Sequence, residues 1–184
     1  AGEVEIYESL AFAIIPQLNA SKDVVVAVTD KTGNQPYLRM NHLHPPFNHP
    51  KARQALLHIM DQKLYGQAVA GDDKLYTVCQ AYLMCGSLYG SSAGAVKPDL
   101  DKARQLMKEA GYKGEKVVLI QPTTTPNFDA ATLVTAQQLR KIGVNVELAP
   151  MDYNSALIRR NRRDPIDKGG WSLMHSGNFG MDVA

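Results

Sequence analysis

Two hydrophobic periods run along this chain, and the order in which they alternate predicts a layered α/β fold. Tyr37 to His44 has period two: Leu38, Met40, His42 and His44 share one face of a strand, and Tyr37, Arg39, Asn41 and Leu43 the other. Pro45 and Pro46 stop it. A helix then opens at Pro50, where a missing N–H costs nothing, with Asn48 or His49 as its cap. Ala52, Ala55, Leu56, Ile59 and Met60 line its apolar face at helical spacing, and Asp61 caps a second helix over 62–69. Further on, Asp99 caps a helix with Leu100, Ala103, Leu106 or Met107, and Ala110 on one stripe, ended by Gly111. Lys116 to Ile120 is a strand, Phe128 to Ile142 a long helix closed by Gly143, and Val144 to Leu148 a strand. Asp152 caps a helix reaching about Arg163, and Trp171 to His175 is the last strand. Strand, helix, strand, helix, strand at these spacings argues for a mixed, partly parallel sheet flanked by helices.

The beginning and the middle of the chain are less regular. Glu3 to Tyr7 alternates weakly as a short strand, and a helix is expected over Leu10 to Leu18, disturbed by Pro16 if that residue lies deep inside. Asp23 to Thr29, DVVVAVT, reads as a buried strand. A turn at Thr32, Gly33 and Asn34 would pair it with Tyr37 to His44. Residues 71–98 keep no period and form a long loop, of a length that is usually functional or pinned.

Composition narrows the class without naming a function. A chain of 184 residues, 45% hydrophobic and 21% charged, has the profile of one globular domain able to sustain a core. No apolar run reaches the ~20 residues that cross a bilayer. The formal charge of +2 does not supply the basic stripe of a nucleic-acid binder, and Arg159, Arg160, Arg162 and Arg163 read as a solvated helix end that suits the helix dipole. The amino-terminal residues have no basic head or cleavage site of a signal peptide.

Catalytic chemistry finds no foothold. GxSxG, P-loop and HExxH patterns are absent, and Asp72 with Asp73 or Asp99 with Asp101 read as caps and surface. We expect no enzyme and no cofactor. His42, His44 and His49 invite a metal, yet Pro45 and Pro46 redirect the chain between them and no local carboxylate or cysteine completes the set, so structural or surface roles are preferred. Thr123, Thr124 and Thr125 follow a strand on the edge where α/β sheets bind ligands; their hydroxyls would line a cleft or cap the next helix.

The segment from Asn41 through Pro45, Pro46 and Phe47 to Arg53, Gln54, Ala55 and Asp61 resembles the family 5 extracellular solute-binding proteins, the receptors of peptide, nickel and related ABC importers. KARQLMKEAGYKGEKVVL at 102–119, ATLVTAQQLRKIGVNVEL at 131–148 and RRNRRDPIDKGGWSLMHSG at 159–177 extend the likeness over nearly the whole chain, in the family's order. The resemblance implies that residues 1–184 form one domain, a three-layer-like lobe of the type II periplasmic binding protein kind. It would be the carboxy-terminal lobe of a two-lobed receptor whose amino-terminal lobe is missing here. It further implies a periplasmic location, or a lipid-anchored extracellular one in a bacterium without an outer membrane, and an ABC permease as partner.

Ligand contacts are implied in the same way. In peptide-binding members, the chain leaving the last strand presents an aromatic residue and then an aspartate that receives the peptide's α-ammonium group; Phe179 and Asp182 match, with Asn178 and Gly180 beside them. Charge-assisted bonds of this kind are about twice as strong as neutral ones. Gly177, Asn178 and Phe179 stand where many members carry tryptophan, which leaves nickel, metallophore or other solutes open beside a short peptide, as well as a role as the sensor lobe of a transcriptional regulator. Cys79 and Cys85 are expected to form a disulfide in the oxidising compartment that the resemblance implies.

Overall fold

The computed structural model describes residues 5–7, 10–29, 33–81, 83, 85 and 90–179. After a 3-10 turn at Phe12–Ile14, the elements in chain order are α1 Ile15–Asn19, β1 Asn34–Met40, α2 Pro50–Ile59, α3 Gln62–Ala70, α4 Leu100–Glu109, β2 Val117–Pro122, α5 Pro126–Lys141, β3 Val146–Met151, α6 Tyr153–Arg160, a second 3-10 turn at Ile166–Lys168, and β4 Leu173–Phe179. The strands form one sheet in the order β1-β4-β2-β3. β2 runs parallel to both β3 and β4, while β1 pairs antiparallel with β4 from Asn34↔Phe179 to Met40↔Leu173.

Alternation along the strands divides the core between two faces. Val117, Leu119 and Leu173 pack with Ala52, Ala55, Leu56 and Ile59 of α2, Ala103, Leu106 and Met107 of α4, and Ala136 and Leu139 of α5. Ile120 and Met174 point the other way, against Ala156 of α6 and Trp171. β2 is covered on both sides, which is why VVLI is continuously apolar rather than alternating. The three layers follow from that single strand.

The caps expected from the sequence form. His49 Nδ1 accepts the Lys51 N–H at the head of α2, Asp61 accepts the Lys63 and Leu64 N–H groups at α3, and Asp99 and Asp152 cap α4 and α6 through Lys102 and Ser155. Arg53 donates from Nη1 to the carbonyls of Phe47 and Asn48 at 2.8 and 3.1 Å, so the helix holds its own approach loop, with Phe47 fully buried beneath it.

Four expectations are corrected. Asp23 to Thr29 forms no strand; Val25 and Val28 are 91% and 77% exposed. A run of valines specifies extended backbone but not a partner, and β1 takes its partner from the far end of the chain. The first helix breaks into the 3-10 turn and α1, which places Pro16 in the first turn of α1, where its missing N–H is harmless. β1 ends at Met40 rather than His44, because Asn41 turns inward: its N–H donates to Ser172 O at 2.8 Å, its Nδ2 to Trp171 O at 3.0 Å, and its Oδ1 accepts the Leu43 N–H. Of the strand expected over Glu3 to Tyr7, Glu3 and Val4 lie outside the described residues, and residues 5–7 are not strand.

The described parts of the 71–98 segment hold no helix or strand and are pinned by cross-links. Cys79 and Cys85 are disulfide-bonded. Gln62 grips Cys79 reciprocally, its Nε2 donating to the Cys79 carbonyl and its Oε1 accepting the Cys79 N–H, both at 2.6 Å. The Tyr76 ring lies so close to Gly66 of α3 that a Cβ there would fall 2.3 Å from it.

Asn41→Ala leaves the Trp171 carbonyl and Leu43 N–H without their buried partner and is expected to cost about 2 to 3 kcal/mol in urea unfolding; Asn41→Asp restores only the acceptor and should recover less than half. Replacing both cysteines with serine removes a short loop closure and should cost about 2 kcal/mol, read as a lower urea midpoint.

Candidate functional site

The parallel strands β2, β3 and β4 end at one edge of the sheet, and antiparallel β1 begins there. In open sheets of this kind the crevice beyond the strand ends is where ligands bind. α5 and α6 both start at this edge, one on each face, and the loop between β2 and α5 carries Thr123, Thr124 and Thr125.

These threonines are tied to the backbone around them. Thr123 donates from Oγ1 to the Met151 carbonyl at 3.1 Å, alongside its own N–H to the same oxygen at 2.9 Å. Thr124 Oγ1 accepts the Tyr153 N–H at 3.0 Å, so it caps the start of α6 rather than α5. Thr125 occupies the N-cap position of α5 without a side-chain bond. Nearby, Gln121 donates from Nε2 to Asp129 at 2.6 Å, and Asp152 receives both the N–H and the hydroxyl of Ser155, bonds that hold its carboxyl below the ordinary carboxylate value.

At the end of β4, the backbone of Asn178 and Phe179 pairs with Gln35 and Asn34 of β1, which brings it to the same edge as the threonine loop. Gly180 and Asp182 lie outside the described residues. Gly177 is in tight surroundings: a Cβ there would fall 2.8 Å from Asn34 Oδ1 and 3.5 Å from Phe128 Cζ. Phe128, in the first turn of α5, stacks on Tyr153, the first residue of α6, with ring centroids 6.0 Å apart and planes inclined by 30°. Sequence reasoning missed this pair, because each ring reads alone as an ordinary helix residue.

A buried polar chain underlies β4. Tyr65 Oη and Thr135 Oγ1 are 2.8 Å apart, Thr135 Oγ1 and His175 Nε2 are 2.7 Å apart, and the rings of Tyr65 and His175 lie 5.9 Å apart at 50°. It joins α3, α5 and β4. Burial pushes the Tyr65 phenol up to about 12 and the His175 imidazole down to about 4, so both stay neutral. His175 Nδ1 is buried without a partner among the described residues. The alternation of WSLMHSG turns His175 inward beside Leu173, a signal that the sequence did carry.

Three other histidines make bonds within the fold. His49 caps α2, His44 Nε2 meets the Arg163 carbonyl at 2.9 Å and His58 Nδ1 the Lys97 carbonyl at 3.3 Å. Among the described residues no group of three histidines, cysteines or carboxylates could hold a metal ion. No helix among them is long and apolar enough to cross a membrane.

This architecture is that of a lobe of the periplasmic binding proteins. The chain superposes on CtaP, an ABC transporter substrate-binding protein of Listeria monocytogenes, with a TM-score of 0.78 at 22% identity over 92% of this chain and 34% of that one. The dipeptide-binding protein of Pseudoalteromonas sp. SM9913, solved with Met-Leu, gives 0.71 at 24% identity over 91% and 32%. The family model for bacterial extracellular solute-binding proteins, family 5 Middle, matches residues 1–183, and the chain belongs to that family. It is 38% identical over 182 residues to the "probable peptide ABC transporter periplasmic-binding protein y4tO" of Sinorhizobium fredii, covering 94% of this chain and 33% of that protein. It is 33% identical over 146 residues to the glutathione-binding protein GsiB of Salmonella typhimurium, covering 75% and 28%. The chain thus spans about a third of the length of the relatives it matches.

Neutral burial of His175 predicts an acid-labile fold. An unfolded imidazole titrates near 6.5 and the folded one near 4, so the stability that rests on neutral His175 is complete above pH 6.5. It falls as pH drops through that value toward 4, by on the order of 3 kcal/mol. His175→Gln, which keeps a bonding partner for Thr135 but cannot take up a proton, should flatten unfolding free energy against pH across that window.

Proposed function

We propose that this chain is the carboxy-terminal lobe of a two-lobed periplasmic receptor that captures a short peptide between its lobes and delivers it to an ABC permease. What carries the reading is the family match along residues 1–183, joined to the relative in Sinorhizobium fredii named for peptide transport. The strand-end edge supports it physically, since one rim gathers the β2–α5 loop and the end of β4.

In this proposal the peptide's α-ammonium group binds Asp182 as the chain leaves β4, and Phe179 supplies apolar wall, with Asn178 and Gly180 beside it. Thr123 and Thr124 bound the other side. Their hydroxyls are bonded inward, so they contribute methyl groups and shape. A carboxylate suits a cleft that closes by hinge motion, because excluding water strengthens its bond to an ammonium group. The glutathione-binding relatives favour a ligand of peptide-like size.

Calorimetry of the full-length receptor with tripeptides tests this. Parent protein should bind a free-amine tripeptide and lose at least about tenfold in affinity when the amine is acetylated, which removes one charge-assisted bond. Asp182→Asn should show the same loss for the free amine and little further loss on acetylation. Equal affinity of parent and Asp182→Asn for the free-amine peptide would rule out the anchor.

A further inference from the structure

We infer that Phe128 and Tyr153 form an aromatic subsite of the ligand cleft, one that accepts an aromatic or broad aliphatic side chain of the bound peptide. The inference rests on the peptide-receptor reading above and adds a preference to it.

Position is the first argument. Phe128 comes from the first turn of α5 and Tyr153 from the first turn of α6, helices on opposite faces of the sheet, and the two rings meet across the ends of the strands. Both rings are half-buried, Tyr153 at the margin of the Ile120, Ala156, Trp171 and Met174 cluster, so the stack is not free surface. Gly177 of β4 lies beside the pair: a Cβ there would meet Phe128 Cζ in ordinary van der Waals contact at 3.5 Å and would collide with Asn34 Oδ1 at 2.8 Å.

The polar groups around the pair give the second argument. Thr123 and Thr124 hydroxyls, the Gln121 amide and the Asp129 and Asp152 carboxylates all have hydrogen-bond partners within this lobe. Each of these groups is thus already engaged inside the lobe, while the ring faces offer a ligand carbon. A polar side chain placed against the rings would lose water and gain little in exchange, whereas an aromatic one gains ring contact beyond its buried area. The rings set selectivity, and the ammonium anchor is common to every peptide.

The test uses the full-length receptor and calorimetry with Ala-Ala-Ala and Ala-Phe-Ala. Ala-Phe-Ala should bind the parent more tightly. Phe128→Ala and Tyr153→Ala should weaken Ala-Phe-Ala by about tenfold and Ala-Ala-Ala by less than about twofold. Phe128→Leu keeps apolar bulk and should fall between, and Tyr153→Phe should behave as the parent. Equal losses for both peptides would mean that the rings only support the fold, and unchanged affinity for Ala-Phe-Ala would mean that they face no ligand; either result overturns the subsite. Should the parent bind neither peptide, the peptide reading fails and indole decides the subsite separately. Saturation transfer to indole in the parent that is lost in Phe128→Ala supports the subsite, and no transfer, or transfer unchanged in Phe128→Ala, overturns it.

Discussion

The sheet depends on one junction, where three strands are tied together by Asn41 and Ser172. Ser172 exchanges bonds with Val118, its N–H donating to the Val118 carbonyl at 2.9 Å and its Oγ accepting the Val118 N–H at 3.1 Å, while its own carbonyl accepts from Asn41. Only two residue pairs, Leu119↔Leu173 and Ile120↔Met174, continue β2 alongside β4. The side chains at the junction thus hold in register what the ladder alone holds briefly. All of these groups are buried, and unmet polar groups in such a place are costly.

From that junction the strands run toward one edge, where the β2–α5 loop and the starts of α5 and α6 gather. The packed faces belong to α2, α4 and α5 on one side and α6 on the other, which leaves the rim to loops and helix starts. On this rim Thr123, Thr124, Gln121, Asp129 and Asp152 each have a hydrogen-bond partner within the lobe, and two of these bonds close the start of α6.

The helices were legible because their signals are local. Asp61, Asp99 and Asp152 each cap the helix they precede, and Gly143, at a positive φ of 83°, ends α5 where a side chain would be strained. Strand partners were not legible, because periodicity states a face and not a neighbour: DVVVAVT had the composition of a core strand and is exposed, while β1 joins β4. The threonine loop was picked out as a candidate by its place after a strand and the end of β4 by the family likeness, but the convergence of Phe128, Tyr153 and Gly177 is a three-dimensional fact. No spacing in the sequence carries it. His175 lies between these cases, since its inward face could be read from alternation but its partners Thr135 and Tyr65 could not.

The pairing of β1 with β4 also shapes how this chain acquires its fold. Asn41 and the Trp171 carbonyl that it binds are 130 residues apart, so β1 emerges early and waits for a partner made near the end. Contacts of such long range form slowly, because the loop between them must be closed first. In the interval β1 is an open edge, yet its own sequence guards it: Pro36 withholds a donor from the middle of the strand, and Arg39 brings a charge that discourages pairing with other chains. The half of the rim built from β1 and β4 is therefore completed last, after the helices and the β2–β3 pair of a nascent chain have formed.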